Sequence, residues 1–220
     1  MERVFVIAEQ PLDKSLFVAI AIGESESDQR HIGILHRTQG SAPEFLHLAW
    51  HCRLHNDALL PDYMTLWVRP AASTERLRSV AALCRRIWKK HSIGGIPYAF
   101  SKPTRSIDAT TGEHLQGPSQ FGLTCASFVL AVFQATGLQL AEYETWPTDR
   151  PGDREWQQQI IEKLAGRATP EHIEHLRNEL GAVRFRPEEV AAAATLAPPP
   201  ANFEPAAQLG LQIADKLRIR

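Results

Sequence analysis

This chain has no excess of charge of either sign. Its 24 Lys and Arg residues meet 25 Asp and Glu residues, a formal net charge of −1. A phosphate backbone or an anionic lipid surface as main partner would require a basic surplus, so nucleic acid is not expected as a partner. Long apolar runs are also missing. Those near residues 16–22 and 128–133 fall far short of the roughly 20 residues a membrane-crossing helix needs, and no transmembrane segment is expected. The N-terminal stretch lacks the apolar core of a secretory signal. Cysteine is scarce. Cys52, Cys84 and Cys125 are odd in number and form no disulfide framework. A cytoplasmic protein is expected, or an effector secreted without a cleaved signal peptide. Gly-rich phosphate loops and dinucleotide fingerprints are absent, as is Gly-x-Ser-x-Gly. The run from Gly112 to Gly117 has neither a strand before it nor a helix opening on it, so no cofactor is expected.

What is present reads as one good-sized fold. Segments rich in β-branched and aromatic residues at 4–8, 16–22, 31–37, 45–50 and 64–68 read as strands of a meandering antiparallel sheet. Turn formers at 23–30 and 38–43 separate them. A helix is expected over 73–91, where Leu77, Val80, Ala81, Cys84, Ile87 and Trp88 recur at helical spacing. Cys84 falls on that stripe as a core residue. Residues 96–121 read as a long connection, of a length often tied to function. A nearly all-apolar, buried helix should follow over 125–136 and stop at Gly137.

After Trp146 the character changes. Helices are expected at 154–164, at 170–180 with Thr169 as N-cap, and around 191–194. An Ala/Pro-rich linker at about 196–205 precedes a last helix over 206–219. The expected division is a domain over 1–146 and a helical C-terminal extension over 147–220, whose helices could bind a protein partner.

Cys125 is the residue that most suggests chemistry. It opens an apolar helix, where unpaired N–H groups favour an anion, so its thiol is expected to ionise more readily than a free one. The same N–H groups could hold the oxyanion of an acyl-transfer intermediate. A thiol nucleophile needs a base and a group that orients the base. Five histidines lie close together in the chain: His31, His36, His47, His51 and His55. His31 and His47 fall on adjacent expected strands and could stand side by side on one sheet face, about 4.5–5.5 Å apart at Cβ. If the Cys125 helix packs on that face, a Cys-His-His site assembles. The plainer readings are a core cysteine, a core His47, a packing role for Tyr98, and surface positions for His36 and His55.

Zinc is the rival chemistry. His47, His51 and His55 recur at i, i+4 and i+8, and His47 with His51 would make a zinc pair on a helix. The same region reads at least as well as strand, which spreads the three too far apart for one ion.

Four short motifs carry a family resemblance. His-Ile-Gly-Ile-Leu resembles the catalytic-histidine strand of the NlpC/P60 cysteine peptidases, and Phe-Leu-His-Leu-Ala is similar to the strand that follows it. Thr-Cys-Ala-Ser-Phe-Val resembles their nucleophile motif, and Gly-Ile-Pro-Tyr-Ala-Phe a segment that carries an active-site tyrosine. Histidine before cysteine is the order of the circularly permuted branch. The resemblance covers roughly residues 16–136. It implies an α+β papain-like fold with an antiparallel sheet packed on a buried nucleophile-bearing helix. It also implies a cysteine-dependent hydrolase, amidase or peptidase, acting on a peptide, protein or acylated substrate without a metal. Cys125 would be the nucleophile and His31 the base. His47 would orient His31, and Tyr98 would line the oxyanion site. A non-catalytic protein-binding module on the same fold is the alternative.

Overall fold

Local alternation of apolar residues sets most of the strands, and their pairing sets the order. In the computed structural model, which describes residues 3–10, 12, 15–24, 29–115, 117 and 121–218, the chain is α+β. Strands β1 (Val4–Val6), β2 (Val18–Glu24), β3 (Arg30–His36), β4 (Glu44–Trp50), β5 (Arg53–Asp57) and β6 (Met64–Val68) form one antiparallel sheet in the order β1-β6-β2-β3-β4-β5. β2 to β4 meander as expected, while β6 returns beside β2. β5 was not among the expected strands. It has one apolar residue, Leu54, and pairing with β4 decides its place: Leu48 faces Leu54 and His47 faces His55.

Alternation divides the sheet into two faces. Ile20, Ile22, Ile32, Ile34, Leu46, Leu48 and Leu66 share one buried cluster with residues of α1 (Thr74–His91), α2 (Cys125–Ala135) and α5 (Pro187–Thr195). Ala19, Ala21, Leu35, Phe45 and Trp67 form a smaller cluster on the other face, packed by Phe5, Leu60 and Tyr63. In α2 every residue from Cys125 to Phe133 is buried, as its all-round apolar sequence implies. Its start is fixed by a capping box. Ser127 N–H donates to Thr124 Oγ1 at 3.1 Å, and Thr124 N–H donates to Ser127 Oγ at 2.8 Å.

The chain beyond residue 146 is helical, in α3 (Asp153–Leu164), α4 (Pro170–Asn178), α5 and α6 (Phe203–Arg218). The expected boundary at 146/147 does not coincide with a break in packing. Val190 to Ala194 are buried in the same apolar cluster as the sheet, because a run of alanines lets α5 lie close to β2 and β3. The expected linker is tied down as well: Ala201 N–H donates to Leu140 O at 2.9 Å, and Glu142 N–H donates to Ala201 O at 2.8 Å. Ala192→Leu is therefore expected to destabilise the whole chain by about 1–3 kcal/mol through overpacking. Urea unfolding should show one transition shifted as a unit. Separate transitions for sheet and C-terminal helices would contradict a shared core. Among the described residues no helix is long and apolar enough to cross a membrane.

Candidate active site

The Cys125 thiol lies against β3, where the sheet opens. Registered pairs between β3 and β4 run only from His36 with Glu44 to Ile34 with Leu46. Toward His31 no further pairs register between the two strands. The backbone N–H of Ile32, the residue that follows His31, lies close enough to favour the thiolate.

His31 and His47 share a sheet face, as expected, but it is not the face on which α2 packs. Ile32 and Ile34 face the helices, whereas His47 stacks on Phe45 of the opposite cluster at 4.5 Å. Cys125 is the first residue of its helix. His31, Tyr98 and Cys125 all line one cavity of about 530 Å³.

Behind His31 runs a hydrogen-bonded series. His31 Nε2 lies 2.7 Å from His47 Nδ1, and His47 Nε2 lies 2.9 Å from Asp57 Oδ2. A carboxylate only accepts, so the proton of neutral His47 sits on Nε2. His47 Nδ1 is then an acceptor, the His31 proton sits on Nε2, and His31 Nδ1 is left with the basic lone pair. Burial, then the charges of His47 and His55, lowers the His31 pKa to about 3. Burial also lowers His47, opposed by its bond to Asp57.

The readily ionised thiol expected from the helix end is not found. Burial pushes Cys125 up to about 11, against the favourable N–H groups of Ile32 and Ala126 and the charge of Arg184. Desolvation of a thiolate in a closed site outweighs the helix terminus. At neutral pH the Cys125 thiol and the His31 imidazole both rest neutral.

Tyr98 joins Cys125 although 26 residues separate them in the chain. Leu123 N–H donates to Pro97 O at 3.0 Å and Ala99 N–H to Leu123 O at 3.4 Å, so 97–99 runs beside 122–124. Gly122 permits this approach, since a Cβ there would sit 2.2 Å from Pro97 O. Tyr98 is buried, its ring 5.1 Å from Trp50. Burial and the neighbouring Cys125 raise its phenol well above the usual range.

His51 does not join His47. Its Nδ1 accepts from Tyr98 N–H at 3.3 Å, and its ring lies 4.6 Å from His172, whose Nε2 meets Tyr98 O at 2.9 Å. The zinc pair His47/His51 is therefore not assembled. His47, His55 and Asp57 do bring ligand-type atoms within 4.8 Å of one another. His36 is fully buried and bonded to Asn56 at 2.8 Å, not a surface residue, whereas His55 is exposed as expected.

Sequence reasoning missed Asp57, Tyr63 and Arg184. Asp57 ends a strand with no apolar alternation to reveal it. Tyr63, whose ring lies 6.3 Å from His31, and Arg184 come from segments that only the fold brings to the cavity. No family model matches this chain, and no curated protein or solved structure does either.

Proposed function

We propose that this protein is a cysteine-dependent hydrolase, an amidase or peptidase, with a papain-like fold of the permuted NlpC/P60 type. The observation that carries the reading is that Cys125 lines one cavity with His31, the first residue of the hydrogen-bonded series His31, His47, Asp57. Cys125 is the nucleophile and His31 the general base. His47 orients His31, with Asp57 behind it.

The sulfur attacks the carbonyl carbon of an amide, or of an ester or thioester. The S–C bond forms, the carbonyl π pair moves to oxygen, and the thiol proton passes to His31 Nδ1. Because thiol and imidazole both rest neutral, proton transfer accompanies attack. The imidazolium so formed is stabilised through His47 by the Asp57 carboxylate. N–H groups at the start of α2, with Tyr98, line the oxyanion position. His31 then protonates the leaving group as its bond to carbon breaks. Water, deprotonated by His31, releases the acyl group and returns the thiol. No metal takes part. The substrate is a peptide, protein or acylated molecule.

Asp57→Asn is expected to slow acylation of Cys125 by p-nitrophenyl acetate by about 10²-fold, while leaving the fold intact by circular dichroism. An unchanged rate would remove Asp57 from the series. The second reading, a zinc protein, is favoured by the His47, His55 and Asp57 group. Stoichiometric zinc in the purified chain, lost in His55→Ala, would establish it in place of the hydrolase.

A further inference from the structure

Residues 151, 152, 156 and 184–188 line the cavity together with His31, and the lining is basic. Arg30, Arg184, Arg186 and Arg218 line the cavity, and Glu188 is the acidic residue among them. Three of the four are accounted for. Arg30 holds Glu188 at 2.7 Å and lies 3.6 Å from Glu24. Arg186 places Nε and Nη2 on Asp153 and Nη2 on Pro151 O. Arg218 is exposed at the end of α6.

Arg184 differs. Its guanidinium stacks 3.9 Å over the Trp156 ring and makes one hydrogen bond, Nη1 to Asp153 Oδ1 at 3.2 Å. Among the described residues its Nε and Nη2 donate to nothing. Asp153, 3% exposed, is also bound by Arg150 and Arg186, so one carboxylate serves three guanidiniums. Stacking fixes the plane of Arg184, and Asp153 holds one corner of it. The unused edge is a fork suited to a carboxylate. A half-buried guanidinium with spare donors also gains from an anion that completes its pairing. Arg184 is close enough for its charge to act on both Cys125 and Tyr98.

We infer that the cavity contains an anion subsite centred on Arg184, which selects substrates carrying a carboxylate next to the bond that Cys125 attacks. The inference rests on Cys125 as nucleophile. Among the substrate classes open to a thiol hydrolase, it favours peptide-like amides with a free carboxylate over neutral lipid acyl chains.

Iodoacetate and iodoacetamide test it on the intact protein, since they differ only in the charge of the group beside the reacting carbon. In each, the sulfur forms a bond to the methylene carbon, iodide leaves, and the thiol proton goes to His31 or solvent. Peptide mass analysis at pH 8 gives both rates at Cys125, with the exposed Cys52 as internal reference. The iodoacetate to iodoacetamide rate ratio is expected to be about tenfold higher at Cys125 than at Cys52, the factor for one partly screened ion pair. It should fall to the Cys52 value in Arg184→Gln and survive in Arg184→Lys. In the unaltered chain, sodium acetate should slow both reagents at Cys125 and at Cys52 neither, which keeps the test if Arg184→Gln does not fold. Equal ratios at the two cysteines, or no protection by acetate, overturn the subsite and leave the nucleophile standing. Labelling of Cys52 with none at Cys125 by either reagent overturns both.

Discussion

Cys125→Ala is expected to abolish covalent turnover. With p-nitrophenyl acetate the unaltered chain should release a burst of about one equivalent of nitrophenolate, and the variant none, a loss of at least about 10³-fold in acylation rate. Cys52→Ala and Cys84→Ala should keep the burst. Cys84 is fully buried, with its thiol raised far beyond the physiological range, and Cys52 sits on an exposed turn. The pH dependence is equally diagnostic. With Cys125 pushed up to about 11, its alkylation by iodoacetamide should rise about tenfold per pH unit from 7 to 10, in step with the thiolate fraction. A plateau between pH 5 and 8 would instead mean a preformed thiolate–imidazolium pair, contrary to the neutral pair described here. A burst that survives in Cys125→Ala would sink the hydrolase reading.

Acid should unfold this protein early. Burial is the first cause that lowers His31 to about 3 and His114 to about 4, and it also lowers His36 and His47. An unfolded chain takes up protons at these residues below its ordinary histidine value of about 6.5, and the folded chain does not. Stability is therefore fully present above pH 6.5 and declines as pH falls from there toward the folded values. The loss between pH 7 and 4.5 is expected to be roughly 3–5 kcal/mol, a large share of the 5–15 kcal/mol available to a typical domain. Urea midpoints from pH 7.5 to 4.5 measure it, and midpoints that do not move would refute it. His114 separates this effect from general acid unfolding. It is buried, and among the described residues neither ring nitrogen has a partner. His114→Leu should leave stability near unchanged at pH 7.5 and shallow the decline below pH 6.5.

The legible parts were those written in local pattern. Strand β6 and helix α1 lie within a residue of where apolar periodicity puts them, and α2 begins at Cys125 because Thr124 and Ser127 form its cap. His31 and His47 were readable as neighbours because strand alternation and the length of one turn suffice to pair them. β5 was not readable, since Arg53, His55 and Asp57 alternate with little that is apolar, and Asp57 was lost with it. The condition that α2 pack on the face of His31 and His47 was not met either. The even-numbered isoleucines of β3 face the helices and the histidines face away. The sequence alone gives no sign that the registered pairing of β3 with β4 ends at Ile34 and Leu46.

By itself, then, the sequence determined most of the elements, the buried nature of α2, two residues of the cavity, Cys125 and His31, and His47 as the neighbour of His31. These follow from periodicity, capping and adjacency, which act over a few residues. The tertiary structure alone decided that Tyr98 and, from the C-terminal segment, Arg184 line one cavity with Cys125, and that Asp57 closes the histidine series. It also decided the protonation state of the site. A helix end favours a thiolate and is visible in sequence. Burial opposes it and prevails here, because desolvation is the sum of everything the fold packs around one sulfur atom.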